Sequence, residues 1–165
     1  MPPAGLAAQA FPRIDYADAY AARLPRGAAC DVDDFARAFF SVTPRWAALL
    51  MALRDRAVAP FGLKTSRRAA PPRPEGMTFQ PGDARGIFRV FAHAEDEILI
   101  GEDDRHLDFR VGLVVARRGA ACWATIPTVV RYNTLLGRLY FLPVRFGHRL
   151  IVPAMLREAV RRLAA

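Results

Sequence analysis

The stretch HLDFRVGLVVARRGAACWATIPTVVRY (residues 106–132) decides how this chain folds. Two apolar runs flank a short polar break, and both alternate with a period of two. With Arg118-Gly119 as a two-residue turn, Leu107 faces Val130, Phe109 faces Thr128, Val111 faces Ile126, Leu113 faces Ala124 and Val115 faces Cys122. On the other side His106 meets Arg131, Asp108 meets Val129 and Arg110 meets Pro127. One register therefore sorts both strands into an apolar face and a mixed polar face, and a slip of one residue would destroy the sorting. The apolar side is expected to turn toward a helix at the end of the chain, and the polar side to look away into solvent.

Working outward, IFRVFAHA (87–94) and EILIGE (97–102) keep the same period, so the region reads as an antiparallel meander with short polar turns. Glu102, Asp103 and Asp104 sit at the turn into the hairpin, where acids serve the backbone. The parity of that turn decides whether Arg89, His93 and Glu102 point inward. Upstream, IDYADAYAARL (14–24) alternates weakly and reads as a first strand. Asp31 then caps a helix whose Val32, Phe35, Ala36, Phe39 and Phe40 lie on one face, with Asp33 and Asp34 at the positive end of its dipole. Thr43-Pro44 opens a second short helix with the stripe Trp46, Leu49, Leu50, Leu53 and Ala57. Residues 64–85 have no periodicity and read as a long Pro-rich loop. Residues 1–13, rich in Ala and Pro, read as a flexible N-terminal segment, leaving 14–165 as a single domain. Downstream of the hairpin, NTLLG leads into a segment whose later part is a long helix, with Ile151, Met155, Ala159, Val160 and Leu163 facing inward. Pro153 should kink it.

Composition narrows the function classes. The formal charge is +8, but Lys64 is the one lysine among 24 basic residues, which looks like a compositional bias toward arginine. A basic pI by itself argues for solubility and general attraction to anions. No finger, RNP-like or helix-turn-helix pattern accompanies it, so no specific nucleic-acid partner is expected. No apolar run is long enough to span a bilayer, no signal peptide precedes the first strand, and no membrane partner is expected. Cys30 and Cys122 lack metal-type spacing and read as two thiols in a reducing, cytoplasmic compartment.

Four residues near the hairpin carry chemistry. His106, Asp108 and Arg110 form a row on one strand face, with Arg131 beside them in the same register. His106-x-Asp108 offers two metal ligands, yet no third is pinned by spacing and arginine repels a cation, so no metal and no cofactor is expected. The row reads first as a strand face that is solvated or covered by another subunit, and second as a set of ligand contacts.

Several pieces resemble the bacterial domain of unknown function 2867: FFSVTPRWAALLMALRDRAVAPFGLK, DDRHLDFRVGLVV, NTLLGRLYF and GHRLIVPAML. The resemblance covers most of residues 15–163, and DRHLDFR and GHRLIVP are its most specific parts. Where this chain has Phe146-Gly147, many members of that family carry Pro-Phe before the histidine, so a different entry to the last helix is expected. The resemblance implies an α+β helix-grip (START-like) fold: a curved antiparallel sheet wrapped around a long C-terminal helix, with two short helices after the first strand and an apolar cavity between sheet and helix. Similar domains are attached to nicotinamide-dependent reductase-like domains, but this chain has no G-x-G-x-x-G unit and should not hold a dinucleotide in that way.

Three functions follow as expectations. The first is binding of a small apolar or amphipathic ligand, with Leu107, Phe109, Val111, Ile126, Val130, Trp46, Phe39, Ile151 and Met155 as cavity wall and His93, Arg89, Glu102, Tyr140 and His148 as polar contacts. The second is a cyclase- or dehydratase-like enzyme that uses a cavity His or Tyr, from His93, His148, Tyr132 and Tyr140. The third is an interaction or homo-oligomerisation domain, using a face with Trp123 opposite Val114 or the arginine-bearing last helix for acidic partners. The residues lean away from catalysis.

Overall fold

A computed structural model describes residues 5–42, 78–85 and 88–164. The second expected helix, with Trp46, and residues 64–77 of the expected loop lie outside the described residues. The fold is α+β: one antiparallel sheet and a long C-terminal helix. The strands are β1 (Tyr16–Arg23), β2 (Ala84–Arg85), β3 (Phe88–His93), β4 (Glu97–Asp103), β5 (Leu107–Arg118) and β6 (Ala121–Tyr132), in the spatial order β1-β6-β5-β4-β3-β2. Helix α1 (Val32–Ser41) and helix α2 (Leu135–Arg162) pack against each other and on one face of the sheet.

The hairpin is paired two residues away from the sequence expectation. Leu107 faces Tyr132, Phe109 faces Val130, Val111 faces Thr128 and Val115 faces Ala124. The turn residues are Gly119-Ala120, and Gly119 has φ +61°. Hairpin turns of two residues call for positive φ at the first central position, where glycine fits and Arg118 would be strained. A shift of two leaves parity untouched, so the sorting of side chains to faces survives although each partner changes. Trp123 consequently lies opposite Ala116 and Val114 opposite Thr125, so the expected Trp123–Val114 contact face does not exist as drawn.

The face toward the helices is apolar. Val111, Leu113, Val115, Ala124 and Ile126 meet Val32, Phe35 and Phe39 of α1 and Val152, Leu156 and Ala159 of α2 in one buried cluster. Asp31 caps α1 as expected, its carboxylate accepting from the Asp34 N–H at 2.8 Å. The buried stripe of α2 falls on Phe141, Val152, Leu156 and Ala159; of the expected inward residues Ala159 is fully buried, while Ile151, Met155, Val160 and Leu163 are half-buried. The helix begins at Leu135, well before the expected entry, and contains both Pro143 and Pro153. Residues 78–85 are not wholly loop: Phe79 is buried against Phe40, ring centroids 5.8 Å apart, and Ala84–Arg85 pairs with β3.

The opposite face is covered where it is formed by β4, β5 and β6. Residues Gly5–Gln9, expected to be loosely held, form a 3-10 turn that lies over it, with Ala7 and Phe11 buried. The Glu97 carboxylate, itself buried, accepts the backbone N–H groups of Leu6 at 2.8 Å and Ala7 at 3.3 Å. Phe11 sits between two guanidinium groups, 5.0 Å from that of Arg110 and 5.2 Å from that of Arg131. An amide-capping carboxylate and two cation–π contacts hold the N-terminal segment on the sheet.

Candidate functional site

The polar row of the hairpin is a structural network. Asp108 is 3% exposed; one of its oxygens accepts from the Asp104 N–H (3.1 Å) and Asn133 Nδ2 (3.0 Å), and the other from Arg131 Nε (3.1 Å) and Nη2. Arg110 is buried, paired with Asp103 at 2.8 Å, donating to the Phe109 carbonyl at 2.9 Å and lying 3.4 Å from the Phe91 ring centroid. Buried charges persist in a fold when paired and hydrogen-bonded in this way. His106 stands apart at the end of the row, half-buried, with Nδ1 3.4 Å from the Thr134 hydroxyl. The solvated face expected for this row is thus corrected: the N-terminal segment covers it, and every oxygen of Asp108 is occupied.

A second polar cluster lies on the helix side of the sheet, at its β1 edge. Tyr16, Asp18 and Tyr20 alternate with alanines, so all three point toward α2, and they pair across the strands with Val130, Thr128 and Ile126. His148 of α2 meets them, Nε2 lying 3.1 Å from Asp18 Oδ1, with both side chains about one-sixth exposed. The hydroxyls of Tyr16 and Tyr20 donate to Asp18 Oδ2 at 2.5 and 3.3 Å, and Arg149 bonds the Tyr16 hydroxyl from outside. Burial alone would raise the Asp18 carboxyl, but the hydrogen bond and charge of His148 and the two phenols outweigh it and hold it below the ordinary aspartate range. Burial and then the bond to Asp18 push the Tyr16 phenol up to about 12, and burial followed by the Asp18 charge raises Tyr20. At neutral pH the cluster is a carboxylate fed by two neutral phenols, with the His148 ring against its other oxygen.

Beside Asp18 on the same face is Thr128, 3% exposed, whose hydroxyl has no hydrogen-bond partner among the described residues. The expected wall residues continue from it: Val111 and Phe109 follow on β5, and Val130, Leu107 and Phe141 form a buried cluster with Tyr16, Tyr132 and Tyr140 packed against it. Ile126 and Phe39 are buried farther into the core; Ile151 and Met155 are half-buried on α2. The structure thus places His148 and the edge of the expected wall together. It does not bring the other expected contacts to them: His93 pairs with Asp33 of α1 at 3.4 Å, Arg89 is exposed on the opposite face, and Glu102 is half-buried one row away, opposite Phe109. Sequence reasoning missed Asp18, Tyr16, Tyr20 and Thr128. A signal existed in YADAY, where one strand face carries a carboxylate between two phenols and the other only alanine.

The pattern of the family described as "Protein of unknown function (DUF2867)" matches residues 10–155, most of the chain, including the hairpin, β1 and the His148 region. The chain belongs to the DUF2867 family. Comparison of this DUF2867 protein with curated proteins and with solved structures returned no match.

Cys30 and Cys122 form a disulfide across 92 residues, Cα atoms 5.8 Å apart, tying the segment before α1 to β6. The expectation of two free thiols is corrected, and with it goes the support those thiols gave to a reducing compartment. A shallow cleft of about 80 Å³ lies beside the bridge, lined in part by Arg23, Arg26 and Arg117; it is smaller than a typical ligand pocket. Among the described residues no helix is long and apolar enough to cross a membrane.

Proposed function

We propose that this DUF2867 protein is a binding module of the helix-grip, START-related kind, taking a small amphipathic ligand at the seam between β1, β6 and α2. The observation that carries this reading is the Thr128 hydroxyl, buried next to Asp18 without a partner among the described residues. A buried hydroxyl left unpaired costs about 1–3 kcal/mol, so a ligand atom that pairs with it gains what the chain alone forgoes. A hydroxyl-bearing head group both gives and takes hydrogen bonds, which suits Thr128 and the ionised Asp18 together. The apolar part would lie along Val130, Phe109 and Leu107 toward Phe141, an apolar wall with a few convergent polar groups. The set of contacts is short: Asp18, Thr128, His148 and Tyr20 orient, and the apolar wall binds.

An apolar fluorescent reporter displaced by hydroxyl-bearing amphiphiles tests it. The native protein should bind the reporter saturably, and Thr128→Val, which keeps the shape, should weaken displacement about tenfold, the worth of one hydrogen bond. If Thr128→Val merely raises the unfolding midpoint and leaves displacement unchanged, the hydroxyl is a packing defect and the proposal fails. A second reading, an acid–base enzyme of the cyclase or dehydratase kind, draws on the His148–Asp18 pair with its phenols. It requires turnover of the bound compound that His148→Ala abolishes while binding persists.

A further inference from the structure

The outer face of α2 is apolar where an exposed helix is ordinarily polar. Leu135, Leu139, Leu142, Phe146 and Leu150 are 71, 55, 47, 62 and 61% exposed. Spacings of four, three, four and four put them on one stripe, about 120–140° round the helix from the buried Phe141 and Val152. The stripe runs for about 23 Å at the helical rise. Along it the charges have one sign: Arg138, Arg145 and Arg149 flank the stripe, and the first acid of the helix is Glu158, beyond its end. The whole chain carries +8.

We infer that the first half of α2 docks on the surface of an anionic lipid bilayer, with the leucine–phenylalanine stripe at the headgroup boundary and Arg138, Arg145 and Arg149 against phosphates. Charge complementarity selects this occupant. A second copy would set arginines against arginines with no acid along the stripe to offset them. An anionic surface instead meets each guanidinium, and the long arginine stems let the charge reach the headgroups while the helix lies flat. A convex ridge of protruding side chains also suits a fluid surface, as in other interfacial helices with one apolar and one basic flank. This is association with a surface and needs no span. It reverses the expectation, drawn from apolar run length, that no membrane is a partner. Run length detects crossing helices and is blind to lying ones.

Co-sedimentation with vesicles decides it, using the full chain and two lipid compositions: phosphatidylcholine alone, and phosphatidylcholine with phosphatidylglycerol. Three arginines near an anionic surface should favour the mixed vesicles by about 100-fold, and raised salt should remove most of that preference. Phe146→Asp and Leu139→Asp should each reduce binding about tenfold or more with the unfolding midpoint unchanged. Equal partition into both vesicle types, or into neither, overturns the inference. So does a solution dimer that Phe146→Asp dissociates, which would assign the stripe to a second copy. A fall of several degrees in the midpoint of Leu139→Asp without vesicle binding would assign the stripe to the protein's own packing.

Discussion

Asp18 and Glu97 are both acids set into the sheet, one on each face, and the fold treats their charge in opposite ways. Asp18 is held below its ordinary range, so its ionised form belongs to the folded state. Its contribution is present above the unfolded value of about 3.9 and is lost as pH falls through the lower folded value. Burial raises Glu97, and the two backbone N–H groups of Leu6 and Ala7 only partly counter it. Its contribution therefore lies with the neutral form: present below about 4.3, and lost as pH rises through the higher folded value. Asp18→Asn should flatten the acid limb of a stability–pH curve, and Glu97→Gln should flatten the decline above it. Urea midpoints measured from pH 2.5 to 7 report both, and identical slopes in Glu97→Gln and the native protein would contradict the assignment. Neither acid was legible as a site residue. Glu97 opens a strand whose next residues are all apolar, and nothing in the sequence says that a segment ninety residues earlier brings it two amides.

At the scale of elements, period and capping carried most of the information. Alternation located β1 and β3 to β6, and Asp31 located the start of α1. The hairpin register moved because Gly119 takes the first position of its turn, while parity and therefore the facing of each side chain held. The start of α2 was the larger miss. Thr134 caps it, accepting the Gly137 N–H at 3.1 Å, and the N–H groups of Asn133 and Thr134 both donate to the His106 carbonyl. NTLLG holds that cap, but the apolar residues that follow it spread around the helix, so the amphipathic pattern emerges only in the later turns. A side chain at Gly137 would stand 1.9 Å from the His106 carbonyl oxygen. Gly137→Ala should therefore cost roughly 1–3 kcal/mol through a forced shift of the helix start, read by chemical denaturation. A neutral effect would mean that the helix start is not pressed against the β4–β5 turn.

The described residues form a sheet covered by helices on one face and, over β4 to β6, by its own N-terminal segment on the other. Family membership and the α+β layout were readable from motif and period. The closure of the polar face was not, because charge rows look solvated until a covering segment is known. The Cys30–Cys122 pairing was equally hidden, since two cysteines with no metal spacing fit free thiols as well as a bridge. A bridge across 92 residues removes chain entropy from the unfolded state worth roughly 4–5 kcal/mol. Reduction should lower the unfolding midpoint by on the order of 10 °C in calorimetry, and Cys30→Ala should match the reduced protein; an unchanged midpoint would deny the bridge a structural role.

At the seam between β1, β6 and α2 the Thr128 hydroxyl leaves an interaction unmade among the described residues. A high-resolution crystal structure of the protein purified without denaturation examines that place most directly. Density for an amphiphile, its polar atom within hydrogen-bonding distance of Thr128 Oγ1 and Asp18 and its apolar part along Val130, is the expected result. A single ordered water on Thr128, with α2 packed tightly over the seam, would contradict a ligand site there.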